Sequence, residues 1–387
     1  MNHSAIPYSR QEISEADIEA VTDLLRSDYL TQGPMGARFE NAFAARHAVT
    51  HAIAVSNATA GLHLACLALG VGPGDRVWTS PNSFVSSANC ALFCAADVDF
   101  VDIDPITRNM SLEALSAKLE TADKMGGLPK VVIPVDFAGL PCDLAEIRAL
   151  ADRYGFAILE DASHATGASY HGQPIGSAFA DITVFSFHAV KIVTSAEGGM
   201  VVTQDDALAE KVRLLRSHGV TRDPGRMERE SGGAWCYEMV DLGWNYRLTD
   251  VQSALGHSQL QRMDGWRERR EALADRYDAR LADGPFKRPS RGNDRISAWH
   301  LYAIELTQQA KAKRGPVFAG MRAAQIGVNV HYIPIHTQPF YEKRGFAPRD
   351  FPNALAYYEN ALSLPLFPAM SEAEQDRVID TLLRLAA

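Results

Sequence analysis

Through the first two-thirds of the chain, short runs of branched and aromatic residues alternate with helix-periodic stretches, and this alternation predicts an α/β sheet with crossover helices. The β-type runs are residues 51–55, 76–79, 98–102, 131–134, 157–160, 182–186 and 199–203. Helical periodicity follows most of them, as at 61–69, 86–94, 144–154 and 206–217. Several runs close on polar residues: Ser56-Asn57, Ser80, Asp102, Asp136, Asp161 and Ser186. In an open α/β sheet the carboxyl edge of the strands is where ligands bind, so these residues are expected to converge on one crevice. The polar stretch 219–235 has no periodicity and reads as a mobile surface loop. A long helical pattern then runs over 249–282, with Gly265 as a candidate kink and a solvated polar face at 267–271. No internal repeat or low-complexity tract is visible.

Length refines this reading. At 387 residues the chain exceeds one ordinary core, and it divides into a large domain over 1–255 and a smaller C-terminal domain over 256–387. The composition, 47% hydrophobic and 22% charged, is that of a soluble globular protein, with no run of about 18 uncharged apolar residues that could cross a bilayer. The opening Met1-Asn2-His3-Ser4-Ala5-Ile6-Pro7-Tyr8 lacks the basic-then-apolar pattern of a leader, so the cytoplasm is the expected compartment.

Five cysteines, three of them in apolar stretches, predict free thiols rather than disulfides. Cys90 and Cys94 are four apart, but no second Cys/His pair follows at zinc spacing, so no metal is expected. A formal charge of −9 argues against nucleic acid as a partner, while a nucleotide-sized ligand needs only a local pocket.

Three segments carry chemistry. Asn57-Ala58-Thr59-Ala60-Gly61 follows a strand and opens a helix with small residues, so its backbone N–H groups and the Thr59 hydroxyl suit a phosphate. In Ile158-Leu159-Glu160-Asp161 an apolar strand delivers a carboxylate to the sheet edge, where it suits the pyridine nitrogen of pyridoxal phosphate. In Phe185-Ser186-Phe187-His188-Ala189-Val190-Lys191 a lysine stands just beyond a strand, where it can hold that cofactor as a Schiff base and act as acid and base, with Ser186 on the phosphate. Each has an ordinary explanation alone: a helix cap, a strand-end aspartate, a surface lysine. Their order, with Asp161 and Lys191 thirty residues apart, is that of pyridoxal enzymes with the aspartate-aminotransferase fold.

The segments Asp28-Tyr29-Leu30-Thr31-Gln32-Gly33-Pro34, Pro81-Asn82-Ser83-Phe84, Glu197-Gly198-Gly199 and Gly243-Trp244-Asn245-Tyr246-Arg247-Leu248-Thr249-Asp250, with the three above, resemble those of the DegT family of sugar-nucleotide aminotransferases across nearly the whole chain. The resemblance implies a pyridoxal-phosphate-dependent transferase of fold type I, with a mixed, mostly parallel sheet, flanking helices and a smaller C-terminal α+β domain. It implies Lys191 as the catalytic residue and Ala58, Thr59, Phe84, Asp161, His164 and Ser186 as further cofactor residues, with Phe84 stacked on the ring. It also implies that Asn245 reaches the phosphate of a neighbouring subunit's cofactor, which makes the enzyme a homodimer with shared sites. Arg247 is a second phosphate or substrate contact, or a structural arginine. Some family members are dehydratases with histidine in place of the lysine. Lys191 is intact, which favours transamination, and His188 reads as a pocket-wall residue.

Ile6-Pro7-Tyr8-Ser9-Arg10-Gln11, Val77-Trp78-Thr79-Ser80-Pro81 and Asn329-Val330-His331-Tyr332-Ile333-Pro334 resemble the subgroup acting in pseudaminic acid synthesis. By that resemblance Tyr8, Leu30, Thr31, His331 and Tyr332, with His188 and Asn245, line a UDP-sugar pocket. L-glutamate is then the amino donor, and the pyridoxamine form of the cofactor is the intermediate. A metal held by His331 and His336 is disfavoured by Pro334 between them and by the lack of nearby carboxylates. Amination of a dTDP- or GDP-linked sugar, and a cofactor-binding regulator without turnover, stand as rival readings.

Overall fold

The computed structural model describes residues 5–229 and 232–387. Met1 to Ser4, part of the leader reading, and Glu230 and Ser231 of the polar stretch lie outside the described residues. Seven strands, β1 (His51–Val55), β2 (Arg76–Thr79), β3 (Asp97–Phe100), β4 (Val131–Ile133), β5 (Ala157–Asp161), β6 (Ile182–Ser186) and β7 (Gly199–Thr203), form one sheet. Their order across it is β1-β7-β6-β5-β4-β2-β3. The pairs from β3 through β6 are parallel, and β7 runs antiparallel to both its neighbours. The sheet is therefore mixed and mostly parallel.

Its strands are Val- and Ile-rich because helices cover both faces and leave no solvent side to favour alternation. One face packs Ile53, Val55, Val77, Val131, Leu159, Val184 and Val201 into a core, and the other packs Ala54, Val132, Ile158, Phe185 and Val202 into a second. Helix Ala58–Ala68 lies against β6 and β7 at Gly61, where a Cβ would come within 2.9 Å of Val184 Cγ1 and 3.2 Å of Val201 Cγ2. The third strand ends sooner than its hydrophobic run suggests. Past Phe100 the chain enters a turn in which Asp104 Oδ1 accepts the N–H groups of Ile106 and Thr107 at 2.8 and 2.7 Å.

The long helical pattern after Thr249 is two helices, Asp250–Leu260 and Met263–Arg280, and the break falls at Gln261-Arg262 rather than at Gly265. Docking explains its position. Buried Asp17 of helix Glu15–Leu25 accepts from Ser258 Oγ at 2.7 Å and Gln259 Nε2 at 2.8 Å and pairs with Arg262, so this end is anchored before the chain turns. The second helix carries Leu273, Ala274 and Tyr277 into a C-terminal core shared with β8 (Phe286–Lys287), β9 (Tyr302–Leu306) and β10 (Ala361–Leu364). These three strands form an antiparallel sheet, and helices Arg314–Ala323 and Glu372–Ala386 contribute Val317, Met321, Val378 and Ile379. Ile6 joins this core from the other end of the sequence.

The polar stretch is not wholly irregular. Val220-Thr221 pairs antiparallel with Glu238-Met239, and Pro224–Arg226 forms a single 3-10 turn. No helix among the described residues is long and apolar enough to cross a membrane. All five cysteines are free thiols.

Candidate active site

The carboxyl ends of β1, β5 and β6 deliver Asn57, Asp161 and Ser186 to one edge of the sheet. Asn57 caps helix Ala58–Ala68 by accepting the Ala60 N–H on Oδ1 at 2.8 Å, which leaves the first-turn N–H groups of Ala58 and Thr59 without an acceptor in the helix. Gly199, paired with Ser186 across β6 and β7, lies directly under this turn. A Cβ there would meet Ala58 N, Asn57 C and Phe185 O, each at 2.9 Å. Only a glycine lets the backbone of β7 and the start of the helix approach this closely, on the strand next to Ser186. The result is an anion cradle of backbone donors at the positive end of a helix.

Asp161 is 3% exposed, and serines hold both its oxygens. Ser87 Oγ donates to Oδ2 at 2.6 Å, and Ser163 donates to Oδ1 through its hydroxyl at 2.6 Å and its N–H at 3.1 Å. Ser83 extends the chain, 2.7 Å from Ser87 Oγ. A carboxylate has roughly four lone-pair positions, so Asp161 can still accept a bond from a ring N–H.

Beyond β6 the backbone turns so that Lys191 N–H donates to the His188 carbonyl at 2.9 Å. The Lys191 side chain is half-buried, and burial pushes its amine down to about 7, with Asp161 as the one nearby charge that opposes the shift. Three histidines surround it, His164, His300 and His331, all held below the ordinary imidazole range by burial and by Lys191 itself. The ring protons of His164 and His331 are assigned by their neighbours. His164 Nδ1 accepts the Ala138 N–H at 3.2 Å, so its proton sits on Nε2 and is donated to the Tyr332 oxygen at 3.0 Å. The Tyr332 hydroxyl keeps its own proton to donate elsewhere.

The Asn329 amide is oriented by the Val330 N–H on its Oδ1 at 2.8 Å, and its Nδ2 faces His331 Nε2 at 3.4 Å. His331 therefore carries its proton on Nδ1, against Ser363 Oγ at 2.8 Å. Two neutral imidazoles of fixed tautomer leave Lys191 as the group of this wall that titrates near neutrality.

The remaining expected residues fall into two sets. Tyr8 lies with its ring centroid 5.9 Å from that of His331, and Phe84 lies 6.5 Å from that of Tyr332. Phe84 is 58% exposed and so is not part of the core. Leu30, Thr31, His188 and Asn245 are exposed. The segment carrying Leu30 and Thr31 is tied to the one carrying Asn245: Asp250 N–H donates to the Leu30 carbonyl at 3.0 Å, and the Asp250 carboxylate accepts the N–H groups of Gly33, Met35 and Gly36. Arg247 bridges to Val55 through backbone.

Sequence reasoning missed Ser87, Ser163 and His300. Ser163, two residues after Asp161, fits a local aspartate turn and was detectable as such. Ser87 and His300 were not, because long-range packing alone brings them to Asp161 and His164, the two imidazoles lying 4.4 Å apart.

Comparison with known proteins now bears on this geometry. A profile of the DegT/DnrJ/EryC1/StrS aminotransferase family matches residues 11–383. The spore coat polysaccharide biosynthesis protein SpsC of Bacillus subtilis is 40% identical over 379 residues, 97% of this chain and 95% of that one. Among solved structures, the putative sugar aminotransferase Spr1654 of Streptococcus pneumoniae in its PMP form superposes with a TM-score of 0.90 at 30% identity, covering 98% of this chain and 99% of that one. Helicobacter pylori PseC, described as an aminotransferase involved in the biosynthesis of pseudoaminic acid, gives a TM-score of 0.90 at 30% identity and 99% coverage of both chains.

Proposed function

The chain belongs to the DegT/DnrJ/EryC1/StrS aminotransferase family, and from that premise we propose that it transfers an amino group from L-glutamate to C4 of a UDP-linked 4-keto-6-deoxy-N-acetyl-hexosamine. The product is UDP-4-amino-4,6-dideoxy-N-acetyl-β-L-altrosamine, a precursor for pseudaminic acid synthesis. The protein is a pyridoxal-phosphate-dependent sugar aminotransferase. The observation that carries the reading is a half-buried lysine with its amine pushed to about 7, beside a buried, serine-held aspartate on the same sheet edge.

The donor set suits the cofactor. The cradle kept open by Gly199 accepts a phosphate, and Asp161 has lone pairs to spare. When bound, pyridoxal phosphate supplies an electron sink that stabilises carbanion charge beside the transferred nitrogen. In this reading the N–H groups of Ala58 and Thr59 and the Ser186 hydroxyl hold the phosphate, Asp161 holds the ring nitrogen, and Phe84 and His164 flank the ring. Lys191 Nζ takes a proton from one carbon and returns it to another. An amine pushed to about 7 is balanced between its two protonation states near neutral pH, as an acid–base group requires. Tyr332, already accepting from His164, donates its own proton to a substrate oxygen. Tyr8, Leu30, Thr31, His188 and His331 line the sugar-nucleotide side, and Asn245 of a second copy completes the phosphate site, making a homodimer.

The likeness to PseC, an aminotransferase involved in the biosynthesis of pseudoaminic acid, supports the pseudaminic acid reading. A second reading is amination of a dTDP- or GDP-linked keto sugar; the chain is also 40% identical to a spore coat polysaccharide biosynthesis protein, whose description names a polysaccharide and not pseudaminic acid. Supplying purified protein with pyridoxal phosphate, L-glutamate and UDP-, dTDP- or GDP-linked 4-keto sugars separates the two. The expected result is one 2-oxoglutarate per amino sugar, with the highest kcat/KM on the UDP substrate. A dTDP or GDP preference selects the second reading, and no turnover on any of the three contradicts both.

A further inference from the structure

Two acids behind Asp161 have no part in the chemistry above. Asp136 follows β4 and Glu160 lies in β5 next to Asp161, and both are fully buried. They are neighbours by register, since Asp136 N–H donates to the Asp161 carbonyl at 3.1 Å. Each carboxyl uses one oxygen on a nearby donor. Asp136 Oδ1 accepts the Cys142 N–H at 2.8 Å, and Glu160 Oε2 accepts the Thr183 hydroxyl at 2.7 Å. The other two oxygens, Asp136 Oδ2 and Glu160 Oε1, have no donor among the described residues. The two carboxyls are within hydrogen-bonding reach of each other, and the titratable groups facing them are Asp161 and the Cys142 thiol, neither of them a cation.

Two ionised carboxylates both accept, and neither donates. Their contact becomes a bond only with a proton between them. Without it, two buried charges would repel each other and a third at Asp161 in surroundings that screen charge poorly. Burial raises both acids above the ordinary carboxylate range, and the charge of Asp161 adds to it; Asp136 pushes Glu160 up further, while the contact with Glu160 holds Asp136 the lower of the two, the pattern of a proton resting on Glu160 and donated to Asp136.

We propose that Asp136 and Glu160 share one proton and together carry a single fixed negative charge behind Asp161, as a positioning pair. The shared proton ties the end of β4 to β5, which keeps Asp161 at the sheet edge. The residual charge deepens the negative field at that edge. The second half rests on the reading of Asp161 as the ring-nitrogen anchor; the first does not.

The test uses Asp136→Asn, Glu160→Gln and the double variant, each loaded with pyridoxal phosphate. Either single change replaces the proton-bearing oxygen with an amide that donates to the remaining carboxylate, so bond and charge both survive. Both singles should melt close to wild type and keep its pH midpoint for the absorbance change of the bound cofactor. The double variant removes the charge. Withdrawing an anion disfavours the protonated form of the bound group, so its midpoint should fall by about half a pH unit or more.

Infrared spectra of the cofactor-free protein should show a buried protonated carboxyl band, lost in both singles. Melting points well above wild type in the singles would mean that both acids are ionised, and that result overturns the proposal. So does the absence of the carboxyl band. An unmoved midpoint in a folded double variant overturns the field. The infrared and melting arms need no substrate, so they decide the shared proton even if the double variant fails to fold or the proposed sugar is wrong.

Discussion

Lys191→Ala lowers amino transfer by about a thousandfold or more and leaves the cofactor-free protein at least as stable as wild type. The first half follows from the proton work assigned to Nζ. General acid–base catalysis by one positioned group contributes about 10²–10⁴-fold, and losing the group that also holds the cofactor removes more than that term alone. The second half follows from the lowered amine.

Lys191 sits at about 7 in the folded protein against 10.5 unfolded, so the unfolded chain binds more protons between those values. Wild-type stability therefore rises as pH climbs from about 7 toward 10, and below that window the folded state carries the full cost of a charged amine among buried groups. Alanine removes this cost. Steady-state kcat with saturating donor and acceptor checks the first half, and thermal melting of the two cofactor-free proteins at pH 6 to 7 checks the second. A lysine whose loss destabilised the fold would be a structural residue, and the functional assignment would fall with it.

Asp161→Asn is expected to lower kcat by about a hundredfold or more, with weaker cofactor retention and an intact fold. An amide cannot balance a positive ring nitrogen, and removing one charge-bearing contact at a reacting centre costs about 10²–10³-fold in rate. The local hydrogen bonds also turn against the variant. Ser87 and Ser163 both donate to the native carboxylate, at 2.6 Å each, so an Asn amide points its own donors at one of them. Leaving one such buried group unsatisfied costs about 1–3 kcal/mol, enough to shift the side chain but not to unfold the protein. Kinetics at saturating cofactor, with the melting temperature in parallel, separates the chemical loss from the structural one. Full activity in this variant would mean that another group balances the ring.

How much of this was legible in the sequence depends on whether a feature is local. The seven strands were readable because their apolar runs are buried on both faces, and the crevice was readable because strand ends in an open sheet point one way. Lys191, Asp161 and the Asn57–Thr59 turn were singled out by order and spacing, and the fold brings them to one edge of the sheet. Phe84 was undecidable between core and pocket until its exposure was known. The break at Gln261-Arg262 was hidden because Asp17, more than two hundred residues away, anchors that end of the helix. The network around Asp161 was equally hidden: Ser87 approaches from a separate helix, and Asp136 meets Glu160 only because β4 and β5 are adjacent. The tautomers of His164 and His331 depend on a backbone N–H and an oriented amide, neither of which composition or spacing encodes.

The central claim, that Lys191 is the residue on which the cofactor is held and the reaction turns, is tested most directly by fixing the bound cofactor to the protein with borohydride and mapping the labelled peptide by mass spectrometry. The account predicts one reduced pyridoxal phosphate per chain, on Lys191, and none after prior incubation with L-glutamate, which converts the cofactor to its amine form. A label on any other lysine, or a label on Lys191 that glutamate does not remove, would contradict it.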